Sequence, residues 1–218
     1  MFIDYKKAFD LIDHGLLLEK LKAYGVRDNE LDLLRSYRSG HTQYVHINGC
    51  HSSPRTVSAG VPQGSILSPI LFLLFINDLP SAAQRHSTVD IYADDTTLSL
   101  SSDVTNGVTA MSSGLQQDLD DVSRWLAANK MVTNAAKTKC LLVTGKRIPF
   151  KLDNCSLELK LVNSGIEQVD SQKLLGVTID KHLSFDVHVE ELCKKLSQRI
   201  AVLRKIRRFI PIEQRILY

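Results

Sequence analysis

Three carboxylates stand where chemistry could be done. Asp94 and Asp95 are adjacent and follow Ile91-Tyr92-Ala93, while Asp4 ends the apolar run Met1-Phe2-Ile3. Adjacent like charges repel, and an acid at the end of an apolar strand costs free energy unless it is paired or ligates a cation. Carboxylate oxygens are the preferred ligands of Mg2+, which keeps waters and substrate phosphates in its shell. Two such ions about 3.5–4 Å apart can hold the attacking and leaving oxygens of phosphoryl transfer. Taken alone, an Asp-Asp pair is more often a solvated turn, because Asp favours turns for backbone hydrogen bonding.

A second constellation shifts that balance. Gly60-Val61-Pro62-Gln63-Gly64-Ser65 sets two glycines and a proline around one glutamine, just ahead of an apolar segment. Glycine lets backbone approach a ligand closely, and a glutamine there can hydrogen-bond a sugar or base edge without adding charge. Other acids read as structural. Asp10 and Asp13 beside His14 suit the start of a helix, and Asp118, Asp120 and Asp121 suit a solvated helix face. His46 and His182 lack a partner at metal-ligand spacing.

The elements that must position these residues follow from periodicity and punctuation. Phe2–Ile3 reads as a strand end. A helix is predicted from His14 to Tyr24 on Leu17 and Leu21, ended by Gly25, and another from Asp28, a candidate N-cap. Residues 42–48 alternate like a strand and meet Gly49. A buried helix is expected over Ser68–Leu79, then strand, tight turn and strand over 89–100. Leu115, Leu119, Val122 and Leu126 place a long amphipathic helix over Val108–Asn129. Strands are predicted at Lys139–Thr144, Leu157–Leu161 and Gln172–Ile179, and a last helix capped by Ser184 runs to Arg208. Strands and helices intermingle without strict β-α-β alternation, which favours α+β.

Composition narrows the class. The 218 residues are 44% hydrophobic and 23% charged, which excludes collagen-like, low-complexity and mostly disordered chains. The net charge of +3 hides a division: residues 1–136 carry 11 Lys/Arg against 15 Asp/Glu, and residues 137–218 carry 16 against 9. Residues 194–215 alone hold eight basic side chains against Glu213. On a helix such a set can follow a phosphate backbone, or it can be a solvated face. Cys50, Cys140, Cys155 and Cys193 are scattered, as expected of reduced thiols in an intracellular protein, nucleus or cytoplasm left open. The longest apolar run, Ile66–Ile76, is too short for a bilayer, so no membrane partner is expected.

Five ordered blocks resemble reverse transcriptases of non-LTR, LINE-type, jockey-like retrotransposons. Phe2-Ile3-Asp4-Tyr5-Lys6-Lys7-Ala8-Phe9-Asp10, running on to Asp13-His14, is similar to motif A, and Gly60–Ser65 with Ile76-Asn77-Asp78-Leu79-Pro80 to motif B. Tyr92-Ala93-Asp94-Asp95 resembles the Y-x-D-D box of motif C, and Asn134-Ala135-Ala136-Lys137-Thr138 the N-x-x-K-T of motif D. Lys173-Leu174-Leu175-Gly176-Val177 with Leu183-Ser184-Phe185 resembles the segment leading into a thumb.

The resemblance implies a right-hand polymerase palm over 1–180, an antiparallel sheet with helices on one face, and a partial helical thumb over 181–218. It implies that Asp4, Asp94 and Asp95, with the Tyr5 main-chain carbonyl, hold two Mg2+ ions, or Mn2+ in their place. Phe9 occupies the aromatic position that selects deoxynucleotides. Gln63 and Gly64 would contact the incoming nucleotide, and Lys137 would approach its phosphates. Lys194, Lys195, Arg199, Arg204, Arg207 and Arg208 would face nucleic acid. The implied partners are an RNA template, a DNA primer and deoxynucleoside triphosphates. Ser68 stands where many relatives have glycine, and Ser39-Gly40-His41 replaces a frequent Asn-Arg. The start just before Asp4 and the stop at Tyr218 lead to the expectation that fingers and endonuclease parts are missing and that the isolated chain is weak or inactive. Two alternatives remain, a non-catalytic nucleic-acid-binding remnant and, less favoured, another two-metal palm enzyme such as a nucleotide cyclase.

Overall fold

The computed structural model describes residues 1–38, 40–62, 64–102, 107–144 and 155–209. In chain order the elements are β1 (Phe2–Ile3), α1 (His14–Ala23), α2 (Asp28–Arg38), β2 (Thr42–Gln43), β3 (His46–Ile47), β4 (Cys50–His51), β5 (Arg55–Thr56), α3 (Leu67–Ile76) and α4 (Leu79–Ala82). They continue with β6 (Thr88–Tyr92), β7 (Asp95–Ser99), α5 (Gly107–Ala128), β8 (Lys139–Cys140), β9 (Lys160–Leu161), β10 (Ser164–Gly165), β11 (Glu167–Gln168), β12 (Ser171–Leu174), β13 (Val177–Asp180) and α6 (Asp186–Ile206). The chain thus mixes helices with a five-stranded sheet of order β11-β8-β1-β7-β6. Among the described residues no helix is long and apolar enough to cross a membrane.

Two compact units divide the chain. The first comprises 1–140 with 156–167, and the second 141–155 with 168–218. In the first, β1 pairs antiparallel with both β7 and β8, and β6 pairs with β7. Its core is built by the periodicity the sequence displays. Leu115, Leu119, Val122 and Leu126 of α5 are all buried, joined by Phe72, Phe75 and Ile76 of α3 and Leu98 of β7. Burying each such side chain contributes about 1.5–3 kcal/mol. Asp13 caps α1, its Oδ1 accepting from the Leu16 N–H at 3.0 Å, so the start of that helix is where the sequence placed it.

Several expectations need correction. The helix expected over Ser68–Leu79 is α3, which starts one residue earlier and stops at Ile76, and a separate short helix, α4, begins at Leu79. α3 buries one face only, with Ile70 and Leu73 about half exposed, so it is not buried all round. The strand over 42–48 is two short pieces, and Lys139–Thr144 and Leu157–Leu161 shrink to β8 and β9.

Gln172–Ile179 is not one strand but the β12–β13 hairpin of the second unit, turned at Leu175 and Gly176, where φ is +47° and +90°. The cap position of the last helix is Phe185, left-handed and without a side-chain cap bond, while Ser184 Oγ accepts from the Asp186 N–H at 3.3 Å; Asp180 gathers the N–H groups of His182, Ser184 and Phe185. No residue of α6 is buried.

Candidate active site

The acids are placed by one hairpin and its neighbour. β6 and β7 pair from Thr88↔Ser99 to Tyr92↔Asp95, leaving Ala93 and Asp94 as the turn. Ala93 takes φ +53°, a conformation costly for a residue with a side chain. The turn sets Asp94 at the exposed tip and Asp95 at the first position of β7. β1 lies against β7 with Phe2↔Thr97 and Ile3↔Thr96. One step along that register brings Asp4 beside Asp95.

Electrostatics agree with that placement. The Asp95 carboxyl is held above the usual carboxylate range, first by partial desolvation and then by the Asp94 and Asp4 charges. Among the described residues, however, no three His, Cys, Asp or Glu side chains already stand close enough to hold a metal ion. The cluster is therefore one of charge and register, with oxygen donors of the kind a hard divalent cation takes.

Asp4 is locked through its main chain. Its N–H donates to Thr138 Oγ1 at 3.3 Å and its carbonyl accepts from the Asn134 N–H at 2.8 Å. The Asn134–Thr138 turn carrying exposed Lys137 thus abuts the end of β1. Tyr5 is buried. Its hydroxyl donates to Thr96 Oγ1 at 3.0 Å, and burial pushes the phenol up to about 12.

Phe9 is half-buried and stacks on Phe72 with ring centroids 4.6 Å apart. Gln63 lies outside the described residues, whereas Gly64 is exposed with φ +81°. The loop that carries them is clamped to the segment after Asp4. The Gly60 N–H donates to the Ile12 carbonyl and the Val61 N–H to the Phe9 carbonyl, both at 2.9 Å. Gly60, at φ +85°, passes so near that a Cβ there would sit 2.7–2.9 Å from Asp10 main-chain atoms.

Sequence reasoning missed two supports of this loop. His14 Nε2 lies 2.7 Å from the Gly60 carbonyl, and buried Ser68 donates to the Pro62 carbonyl at 2.6 Å. Neither contact has a local sequence signal, since His14 and Gly60 stand 46 residues apart. Between the loop and the segment after Asp4 opens a cleft of about 700 Å3 whose lining includes Lys7, Asp10, His14, His41, Gly60 and Pro62.

The solvated-face reading fails for two acids: Asp118 and Asp121 are buried on α5. Asp118 takes the N–H groups of residues 85–87, and Asp121 pairs with Arg124 and, at 2.8 Å, with Arg85. Lys20 is equally unforeseen. It bonds Asp78 at 2.6 Å and lies over the Phe75 and Trp125 rings, and burial pulls its pKa down against the opposing pull of Asp78. In the second unit, Lys194, Lys195, Arg199 and Arg204 lie exposed on α6 and Arg207 just beyond it. Lys194 pairs with Glu190, which raises its pKa. The Arg208 side chain and residues 210–218 lie outside the description.

Residues 1–179 match the family described as "Reverse transcriptase (RNA-dependent DNA polymerase)". The chain is 32% identical over 216 residues to the probable RNA-directed DNA polymerase from transposon BS of Drosophila melanogaster, covering 94% of this chain and 22% of that protein. It is 31% identical to the RNA-directed DNA polymerase from mobile element jockey of the same species and 30% to its counterpart in Drosophila funebris. Those matches cover 92% and 91% of this chain and 21% of each relative. The chain therefore spans about a fifth of the length of these curated relatives.

Proposed function

The chain belongs to the reverse transcriptase (RNA-dependent DNA polymerase) family, and from that premise we propose that Asp4, Asp94 and Asp95 are its catalytic acids, holding divalent cations for RNA-templated DNA synthesis. Members of the family generally use divalent metal ions. The observation that carries the reading is the β1–β7 register, which sets Asp4 beside Asp95 at the foot of the turn bearing Asp94. Mg2+ suits the donor set, with Mn2+ as substitute. When bound, the ions supply positive charge at the attacking and leaving oxygens of nucleotidyl transfer.

The remaining roles belong to the chain. The buried Tyr5 phenol stays protonated across the working pH range, which leaves the Tyr5 main-chain carbonyl as its contribution to the ion shell. Phe9, braced by Phe72, presents a fixed ring against a ribose 2′-hydroxyl. The loop of Gln63 and Gly64 receives the nucleotide, and Lys137 Nζ offers charge and a proton to the departing pyrophosphate. In this reading residues 1–180 form a palm and 181–218 a partial thumb whose Lys194, Lys195, Arg199, Arg204, Arg207 and Arg208 follow a phosphate backbone. The partners are an RNA template, a DNA primer, deoxynucleoside triphosphates and the rest of a longer element protein.

A second reading, nucleic-acid binding without synthesis, rests on the exposed Lys194, Lys195, Arg199 and Arg204 of α6, which suit a phosphate backbone with or without catalysis. Primer extension on an RNA template separates the two. Synthesis that Asp94→Asn abolishes while RNA binding persists supports the enzyme; RNA binding without synthesis in either form supports the second reading.

A further inference from the structure

Residues 40–56 are exposed without interruption. They form a β-ribbon in the first unit, with Thr42↔Thr56 and Gln43↔Arg55 at its base and His46↔His51 and Ile47↔Cys50 at its tip. Asn48 and Gly49, at φ +50° and +81°, make the turn, the conformation an Asn-Gly pair adopts in tight hairpins. Between base and tip, residues 44–45 face 52–54, so one strand carries an extra residue and the ribbon twists. A two-stranded ribbon with no buried residue is marginal in water and gains from a partner.

Its rings indicate which partner. His46 and His51 stack at 4.3 Å between centroids with planes 9° apart, and Tyr44 meets His51 edge-on at 5.0 Å. All three are exposed, Tyr44 at 56%. Charge points the same way. Within residues 40–56 the sequence has no Asp or Glu, but carries Arg55, His41, His46 and His51. An acid-free, imidazole- and arginine-bearing ribbon with an exposed ring stack complements a polyanion whose bases are unpaired. The base of the ribbon, at His41, Thr42 and Gln43, also lines the cleft beside Lys7 and Gly60.

We propose that the 42–56 ribbon is a stacking platform for single-stranded nucleic acid, on which bases of the template strand lie against Tyr44, His51 and His46 before the strand reaches the cleft at the ribbon's base. The strand's role as template rests on the polymerase reading; the stacking does not. The ring faces take the bases, and Arg55 takes backbone phosphate.

The test is fluorescence anisotropy of the full chain with labelled single-stranded oligouridine RNA and with the matching duplex, in EDTA. Tyr44→Ala and His51→Ala are each expected to weaken single-strand binding roughly 5- to 100-fold while leaving duplex binding in place. Tyr44→Phe and His51→Phe, which keep a ring, are expected to retain it, and circular dichroism checks that every variant folds. Alanine variants that bind like the unmodified chain overturn the platform, as do phenylalanine variants that lose as much as the alanine ones. A changed sedimentation coefficient in the alanine variants with unchanged RNA binding also overturns it, and identifies the face as a protein contact. Because EDTA removes divalent ions and no synthesis is read, failure of the two-metal reading, seen as synthesis surviving Asp94→Asn, leaves this result unaffected.

Discussion

Replacing Asp118 by alanine should be among the most damaging single changes in the first unit, although it alters no residue of the proposed site. Asp118 has no exposed surface. Its Oδ1 accepts from the Arg85 N–H at 3.3 Å, and its Oδ2 from the His86 N–H at 3.2 Å, the Ser87 N–H at 2.6 Å and Ser87 Oγ at 2.5 Å. These bonds fix the chain immediately before β6, the strand that delivers Asp94 and Asp95 to their turn. Hydrogen bonds to a charged acceptor contribute about 1.5–3 kcal/mol each, with strong non-additivity when one side chain makes several. Removal also strands the Ser87 main-chain donor in a buried place. A loss of about 3–5 kcal/mol follows, a large part of the 5–15 kcal/mol that typically separates folded from unfolded. For a chain of this size that corresponds to a fall in melting temperature of roughly 6–20 °C.

Thermal unfolding followed at Trp125, which lies in the same unit, is the assay. Asp120→Ala is the internal control, since Asp120 is exposed and its side chain bonds Gln116 at 2.8 Å. It should cost no more than about 0.5 kcal/mol. If the two variants melt together, within a degree or two of the unmodified chain, the assigned role of Asp118 is wrong.

Other outcomes are expected. Gly60→Ala should destabilise the first unit by about 2–4 kcal/mol through overlap with the Asp10 main chain added to a left-handed φ, whereas Gly49→Ala, with open space around it, should cost only the conformational part, about 1 kcal/mol. Urea titration of both distinguishes overlap from strain, and equal losses would contradict the close approach. The Asp180 carboxyl, which accepts from the Ser184, Phe185 and His182 N–H groups and from Ser184 Oγ, should titrate by carbon-detected NMR near 2 rather than 3.8. Because its folded value lies below the unfolded one, the stability it lends is present above about pH 4 and is lost as pH falls toward 2. Asp180→Asn should flatten the acid limb of the second unit, and an unchanged limb would count against these bonds.

Much of the site was legible because its signals are local. Ala93-Asp94 between two apolar-patterned segments can only be a tight turn, and Asp4 at the end of its apolar run marks where β1 stops. α5 was legible from Leu115 to Leu126, since a face that recurs every three or four residues is hard to bury otherwise. The same face held an overlooked sign. Asp118 follows Leu115 by three residues and precedes Val122 by four, so it had to point inward with them. A count of acids on a helix suggested solvent where position on the wheel required burial.

The β12–β13 hairpin was misread as one strand although Gly176 interrupts it, because the apolar pattern continues across the turn. The clamp on Gly60 was beyond reach for a different reason. His14 and Gly60 are distant in sequence, and only the folded chain shows that the glycine is small because another backbone crosses it. Phe185 likewise takes the cap position in place of Ser184 because Asp180, several residues earlier, ties down the N–H groups of His182, Ser184 and Phe185 and so fixes the chain just ahead of the helix.

The claim that Asp4, Asp94 and Asp95 act together on divalent cations is tested most directly by Mn2+-induced broadening in the amide NMR spectrum of the full chain. The account predicts broadening centred on residues 3–5 and 92–96, reversed by excess Mg2+ and lost in the Asp94→Asn, Asp95→Asn double variant. Broadening that is absent there, or that survives the double variant unchanged, would contradict it and leave Asp94 and Asp95 as the acids of a solvated turn.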